Sequence, residues 1–232
     1  MESKTIPVHV GFIMDGNGRW AKAHFLPQLE GHRRGYLKVK DIARWCKQRG
    51  IKVVTVYAFS TENWGRPAAE VSYLMDLFRL ALGRDLPELQ REGVRLRVIG
   101  RRSANLPPDL VSLMDVAEAQ TADASDLLLQ IAIDYGGRAE IAHAVQAIIR
   151  AGIPADQVTE ETVAAHLWTS GVPDPDLIVR TSGELRLSGF LTFQGVYSEL
   201  YFTKTLWPDF SEAELDQILA AYAERQRRFG GR

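Results

Sequence analysis

The sequence predicts an α/β fold, a single domain with a mostly parallel central sheet flanked by helices, and three observations lead there. Short apolar runs rich in Val and Ile alternate with longer stretches of helical spacing, the pattern of strands joined by helical crossovers. The first two apolar runs end in polar residues, Asp15-Gly16-Asn17-Gly18-Arg19 and Ser60-Thr61-Glu62-Asn63, and open parallel sheets hold ligands at the carboxyl ends of their strands. With 232 residues, 46% of them apolar, the chain can bury one sizeable core, and no repeat, low-complexity tract or linker divides it. Residues 1–232 are therefore read as one domain.

The elements follow in order. Val8 to Met14 is an apolar strand that closes in the turn Asp15 to Trp20. Its two glycines offer positive φ and close backbone approach, and Asp15 and Asn17 are residue types that cap a following helix. Outward-pointing N–H groups at such a helix start cradle phosphate. Asp15 adds a hard oxygen ligand of the kind Mg2+ takes beside substrate phosphates, and Arg19 adds a fork for phosphate oxygens. Taken alone, the same turn is also a common structural device.

A helix opens at Gly31-His32-Arg33-Arg34-Gly35, carries Leu37, Ile42, Trp45 and Cys46 near helical spacing, and ends before Gly50. Ile51 to Phe59 reads as a buried strand, and Arg66-Pro67 starts a long helix through about Gln90. Strands then follow at Val94 to Ile99, Leu127 to Ile133, Leu177 to Val179 and Leu200 to Thr203. Between and after them come helices at Pro108 to Ala119, from Arg138 to about Arg150, at Thr162 to Leu167, and at Ser211 to Arg228.

A formal net charge of -1 argues against wholesale binding of nucleic acid or anionic membrane, so anion affinity must come from local arginines. The single cysteine, Cys46, excludes an internal disulfide and a cysteine-based zinc site. No apolar run is long enough to span a bilayer and no leader pattern is present, which predicts a cytoplasmic protein. Such a protein can still hold a lipid tail in an apolar tunnel.

The string Met-Asp-Gly-Asn-Gly-Arg at 14–19, with Trp20 next, resembles the opening motif of the cis-prenyltransferases, the undecaprenyl diphosphate synthase family. The resemblance continues through Gly31-His32-Arg33, Ala58 to Pro67, Tyr135 to Arg138, Pro173 to Glu184, and Tyr197 to Phe210. It implies prenyl transfer from an allylic diphosphate to homoallylic isopentenyl diphosphate on a homodimer. By the same resemblance Asp15 holds Mg2+, and Gly16, Asn17, Gly18, Arg19, Trp20, His32 and Arg66 bind the allylic diphosphate. Arg180, Arg186 and Ser188 hold the homoallylic diphosphate, Glu199 assists the metal, and Ser60 and Asn63 position the alkene and help remove its proton. The ending Arg227 to Gly231 resembles a family tail that closes over the partner's site.

On the helix after Pro67, one face of Leu74, Leu77, Phe78 and Leu82 is implied to line the tail tunnel, with Leu127 and Leu129 on its far wall. Tyr73 on that helix is expected to stop the tail after few isoprene units unless it turns outward. Placed at a strand end, Asp15 is expected to be replaceable without cost to the fold. The sequence departs from the family at Gln28, where an arginine is usual, and at Leu185, Gly189, Phe193, Gln130 and Asp134. This drift keeps irregular coupling of small allylic diphosphates open as an alternative. A non-catalytic partner subunit is a weaker one, because such relatives lose the Asp-Gly-Asn turn that this chain keeps. Trans-prenyltransferases need Asp-Asp-x-x-Asp clusters, and the sequence contains no Asp-Asp pair.

Overall fold

Six strands, all parallel, form one sheet in the order β3-β4-β2-β1-β5-β6. They are β1 His9–Ile13, β2 Val53–Ser60, β3 Val94–Ile99, β4 Leu127–Tyr135, β5 Leu177–Arg180 and β6 Glu199–Phe202. The structure is a computed structural model and describes residues 6–102 and 105–225. The tail segment Arg227 to Gly231 lies outside the described residues.

Each strand sits where its residues demand. β1 is buried at every position and lies at the centre, between β2 and β5, as expected for a parallel strand covered on both faces. Alternate residues of the sheet face two different layers. Val10, Phe12, Val54, Val56, Leu96 and Leu129 join the larger core, formed with α2 Gln28–Gln48, α3 Ala68–Arg79, α4 Leu86–Arg91, α5 Pro108–Gln120 and α8 Glu212–Glu224. Ile13, Ile178, Ala132 and Tyr135 turn to the other side, onto Phe190 and Leu191. That side is also covered by α6 Gly137–Arg150 and by α7 Glu160–Ala165, which packs on α6.

Three local findings differ from the sequence reading. A separate short helix, α1 Asn17–Ala23, follows β1, and α2 begins at Gln28 rather than Gly31. The expected single helix from Arg66 to Gln90 is broken. A 3-10 turn occupies Thr61–Gly65, α3 begins at Ala68 after Pro67, a π turn spans Leu80–Arg84, and α4 follows. The π turn inserts an extra residue per turn where Gly83 weakens helical preference. No helix among the described residues is long and apolar enough to cross a membrane.

Candidate active site

The carboxyl ends of β1, β2 and β5 open into one cavity of about 560 Å3. The strand order reverses at β1, whose two neighbours lead to opposite edges of the sheet, which is where open α/β sheets leave a crevice. β1 delivers Asp15, β2 delivers Ser60 and β5 delivers Arg180, and all three line the cavity.

The turn after β1 depends on Gly16, which caps α1 with φ 104°, a left-handed conformation that a side chain resists. Gly18 lies within α1. Asp15 and Asn17 do not cap the helix through their side chains. Asp15 is instead held from outside: its backbone N–H donates to Thr181 Oγ1 at 3.0 Å, and Thr181 Oγ1 donates to its carbonyl at 2.6 Å. Asn17 is clamped against α2. A Cβ on Gly31 would lie 2.1 Å from the Asn17 carbonyl oxygen, and one on Gly35 would lie 2.3 Å from Asn17 Oδ1. Only glycine at both positions lets α2 approach the turn. The first N–H groups of α1 have no partner within the helix by its geometry, so the turn is a ready anion seat.

Charge is arranged tightly here. Arg180, 5% exposed, donates from NH2 to Asp15 Oδ2 at 2.9 Å and from NH1 to Ser188 Oγ at 2.8 Å. Arg19 donates to Asp15 Oδ1 at 3.2 Å and to the Ser182 hydroxyl at 2.5 Å. Burial opposes charge on Asp15, but Arg180, with Ser182 and Arg19 beside it, outweighs that and holds its carboxyl below the usual range. The carboxylate therefore stays ionised. On the facing wall, Glu70 Oε1 lies 3.1 Å from His32 Nε2 and accepts from Arg66 at 2.9 Å. Burial, offset in part by Glu70, lowers the His32 imidazole from its ordinary value. Ser60 donates its backbone N–H to Asn63 Oδ1 at 2.9 Å, and both residues line the cavity.

The cavity is thus lined by Asp15, Gly16, Asn17, Gly18, Arg19, His32, Ser60, Asn63, Arg66, Arg180 and Ser188 among the expected residues. Three others are placed elsewhere. Trp20 is buried below the turn and donates to Asp209 Oδ1 at 2.6 Å, so its role is to seat α1. The Arg186 side chain is 60% exposed and pairs with Glu184 at 2.5 Å outside the cavity, while its carbonyl accepts from Arg180. Glu199 pairs with Leu177 in the β5–β6 register, three residues before the Arg180–Phe202 pair. That places it about 10 Å back along the strands from the Arg180 level, where it accepts from Arg225 at 2.7 Å. Within one chain it does not join Asp15 on a metal.

Sequence reasoning missed Glu70, although its position four residues after Arg66 on a helix start was a signal. It also missed Thr181 and Ser182, whose left-handed φ of 75° no composition cue announces. Among the departures, Gln28 lines the cavity beside Gly18. Gln130 and Asp134 are structural: Gln130 accepts from Thr55 at 2.9 Å, and the fully buried Asp134 accepts from Trp64 and Arg101 at 2.8 Å.

Beyond the charged mouth the walls turn apolar. Leu74, Leu77, Phe78 and Ala81 face Val56, Leu96, Leu129 and Ile131 across the cavity. Leu82 and Leu127 lie in the core and are not part of the lining. Tyr73 is not part of it either; it packs on the core's rim near Arg33 of α2.

The undecaprenyl diphosphate synthase family of prenyltransferases matches residues 13–230. The chain belongs to this family. Isoprenyl transferase from Chromobacterium violaceum is 48% identical over 229 residues, covering 99% of this chain and 90% of the relative. Isoprenyl transferase from Listeria monocytogenes is 49% identical over 234 residues, covering 99% and 92%. Among solved structures, lavandulyl diphosphate synthase from Lavandula x intermedia in complex with dimethylallyl diphosphate superposes with a TM-score of 0.92 at 37% identity, covering 97% and 98% of the two chains. A probable undecaprenyl diphosphate synthase from Campylobacter jejuni gives 0.82 at 30% identity, covering 97% and 99%. The protein is a prenyltransferase enzyme of this family.

Proposed function

We propose that the enzyme joins an allylic diphosphate to isopentenyl diphosphate, with Mg2+, to give a Z-configured polyprenyl diphosphate of short to medium chain length. The observation that carries this reading is one cavity whose mouth holds Asp15, Arg19, His32, Arg66 and Arg180 and whose depth is apolar. A diphosphate at the mouth and a hydrocarbon tail behind it match that division of surface.

In this reading the allylic diphosphate sits on the α1 start, with Arg19, His32 and Arg66 around it, and the homoallylic diphosphate sits on Arg180 and Ser188. When the allylic C–O bond breaks, the leaving diphosphate takes the electron pair, and the alkene of the second substrate attacks the allylic carbon. Preorganised arginines favour that charge separation, and the cavity holds the alkene in line. Ser60 and Asn63, at the end of β2, line the cavity, where they would orient the alkene and help remove the proton lost as the new double bond forms. Asp15 suits a Mg2+ site because it is one ionised, partly exposed carboxylate beside a phosphate seat, and Mg2+ needs few protein ligands when phosphates supply the rest. Bound there, the ion would neutralise diphosphate oxygens.

The same reading makes the enzyme a cytoplasmic homodimer, supported by the exposed apolar side chains of Ile149, Val196 and Tyr197. Sedimentation would show a monomer if that part is wrong. Irregular coupling of two small allylic diphosphates is the second reading, favoured by the superposition on lavandulyl diphosphate synthase. Incubation with Mg2+, labelled isopentenyl diphosphate and dimethylallyl, geranyl or farnesyl diphosphate, followed by mass analysis, separates the two. Products that grow by single labelled units support chain elongation. Branched products formed from dimethylallyl diphosphate alone would replace it with the second reading.

A further inference from the structure

At the exit of β2 the sheet's regular pairing gives way. The β2–β4 register shifts between Tyr57 and Phe59 and again between Phe59 and Ser60, just before the turn that brings Asn63 and Arg66 to the cavity. A side-chain bond takes over there. Trp64, packed edge-on against Phe59 with 4.8 Å between ring centroids, donates from Nε1 to Asp134 Oδ1 at 2.8 Å. Asp134 is fully buried and is itself held by the residues after β3. Arg101 donates its backbone N–H to the Asp134 carbonyl at 3.1 Å and its guanidinium to Oδ1 at 2.8 Å. Gly100, where a Cβ would lie 2.0 Å from the Ile133 carbonyl oxygen, lets the two strand ends come that close. Three neighbouring strand ends thus meet on one carboxylate, and a charge-assisted bond shielded from water is stronger than one at the surface. Asp134, Trp64 and Arg101 do not line the cavity themselves.

We propose that Asp134 is a positioning residue: through Trp64 it fixes the turn from Ser60 to Arg66, and so sets where Asn63 meets the alkene and Arg66 the allylic diphosphate. Within the turn, Asn63 Oδ1 accepts the Ser60 N–H at 2.9 Å and the Asn63 carbonyl accepts the Arg66 N–H at 3.1 Å. A turn that loosens at Trp64 therefore misplaces both neighbours together. The roles of Asn63 and Arg66 rest on the reaction proposed above; the anchoring of the turn does not.

Amide hydrogen exchange on the ligand-free enzyme tests the anchor. Asp134 has φ 49°, a left-handed conformation, so Asp134→Gly removes the carboxylate without straining the backbone. The Ser60 and Arg66 amides should then exchange about tenfold faster, with those of β1 unchanged. Trp64→Phe keeps a ring and loses the donor; it should act alike, and the double variant should be no worse than either alone. Asp134→Asn keeps an acceptor and should stay within about threefold of wild type. Unchanged exchange in Asp134→Gly and Trp64→Phe, or effects that add in the double variant, would overturn the anchor. Titration separates positioning from lost stability: Asp134→Gly should weaken geranyl diphosphate roughly fivefold or more and isopentenyl diphosphate less than about twofold. Equal weakening of the two would make Asp134 a general support of the fold and overturn the proposal. An enzyme that shows the exchange contrast while its wild type binds neither diphosphate would refute the proposed reaction and leave the anchor standing.

Discussion

Replacing Asp15 by alanine separates what that carboxylate does for the fold from what it does for the reaction. Arg180 is 5% exposed and donates one of its charge-assisted hydrogen bonds to Asp15. Without that partner the guanidinium keeps the Arg186 carbonyl and the Ser188 hydroxyl, and its Nε is already without a partner. Deleting one member of a fully buried pair costs about 3–5 kcal/mol. Asp15 is 30% exposed, so water replaces part of it, and the cost falls to about 1–3 kcal/mol. At this chain length each kcal/mol moves the midpoint by roughly 2–4 °C, so thermal unfolding followed by circular dichroism should drop by several degrees. Turnover should fall at least 100-fold, about 2.7 kcal/mol of barrier. Asp15→Asn retains an acceptor for Arg180 but not the charge; it should unfold near the wild-type temperature and be as inactive as Asp15→Ala. Turnover of Asp15→Asn within about tenfold of wild type, or about 1.4 kcal/mol, refutes the metal role.

Arg180→Ala should reduce kcat/KM for isopentenyl diphosphate by about 1.5–3 kcal/mol, while Arg186→Ala, losing an exposed side chain, should cost less than about 1 kcal/mol; equal losses would mean that residues 183–189 close over the substrate. Gln28→Arg should tighten the allylic diphosphate by about 1–3 kcal/mol, and a calorimetric titration at fixed Mg2+ that shows no gain would mean the charge does not reach it. Gly16→Ala should destabilise by more than about 1 kcal/mol, because φ is 104° and the new Cβ would lie 2.9 Å from Leu206 Cδ2 and 3.2 Å from Leu206 Cα; a Tm within a degree of wild type contradicts this. Burial holds the His9 imidazole down at about 4, below its unfolded value of about 6.5. Its contribution to stability is complete above that unfolded value and is lost as pH falls through about 4, on the order of 2–3 kcal/mol. In urea titrations His9→Gln should flatten the fall between pH 7 and 4, though not abolish it, since His32 is lowered as well.

Local periodicity and strand-end chemistry made most of this protein legible in its sequence. Asp15, Ser60 and Arg180 stand at three strand ends, and a parallel sheet brings such ends together. The mouth of the site was therefore readable once the strands were. What escaped depends on side-chain direction. Tyr73 and Leu74 are neighbours in sequence, yet only Leu74 faces the cavity; Leu77 lies at helical spacing from both, so spacing alone could not tell which of the two turns inward. Trp20 follows Arg19 directly but points to the opposite side, into Asp209. Nor does any spacing reveal that Arg180, distant in sequence, is buried against Asp15, which is why the sequence alone assigns that carboxylate no part in stability.

The π turn at Leu80–Arg84 keeps the two halves of the cavity wall in phase. A π turn takes about one residue more than an α turn for nearly the same rotation, so it absorbs that residue locally and the helix beyond it continues on the same face. Leu74, Leu77 and Phe78 before the turn and Asp85 and Leu89 after it therefore line one wall. Straightening the stretch into a regular helix without removing a residue would rotate Asp85 and Leu89 off that wall by about 100° and leave the mouth unchanged.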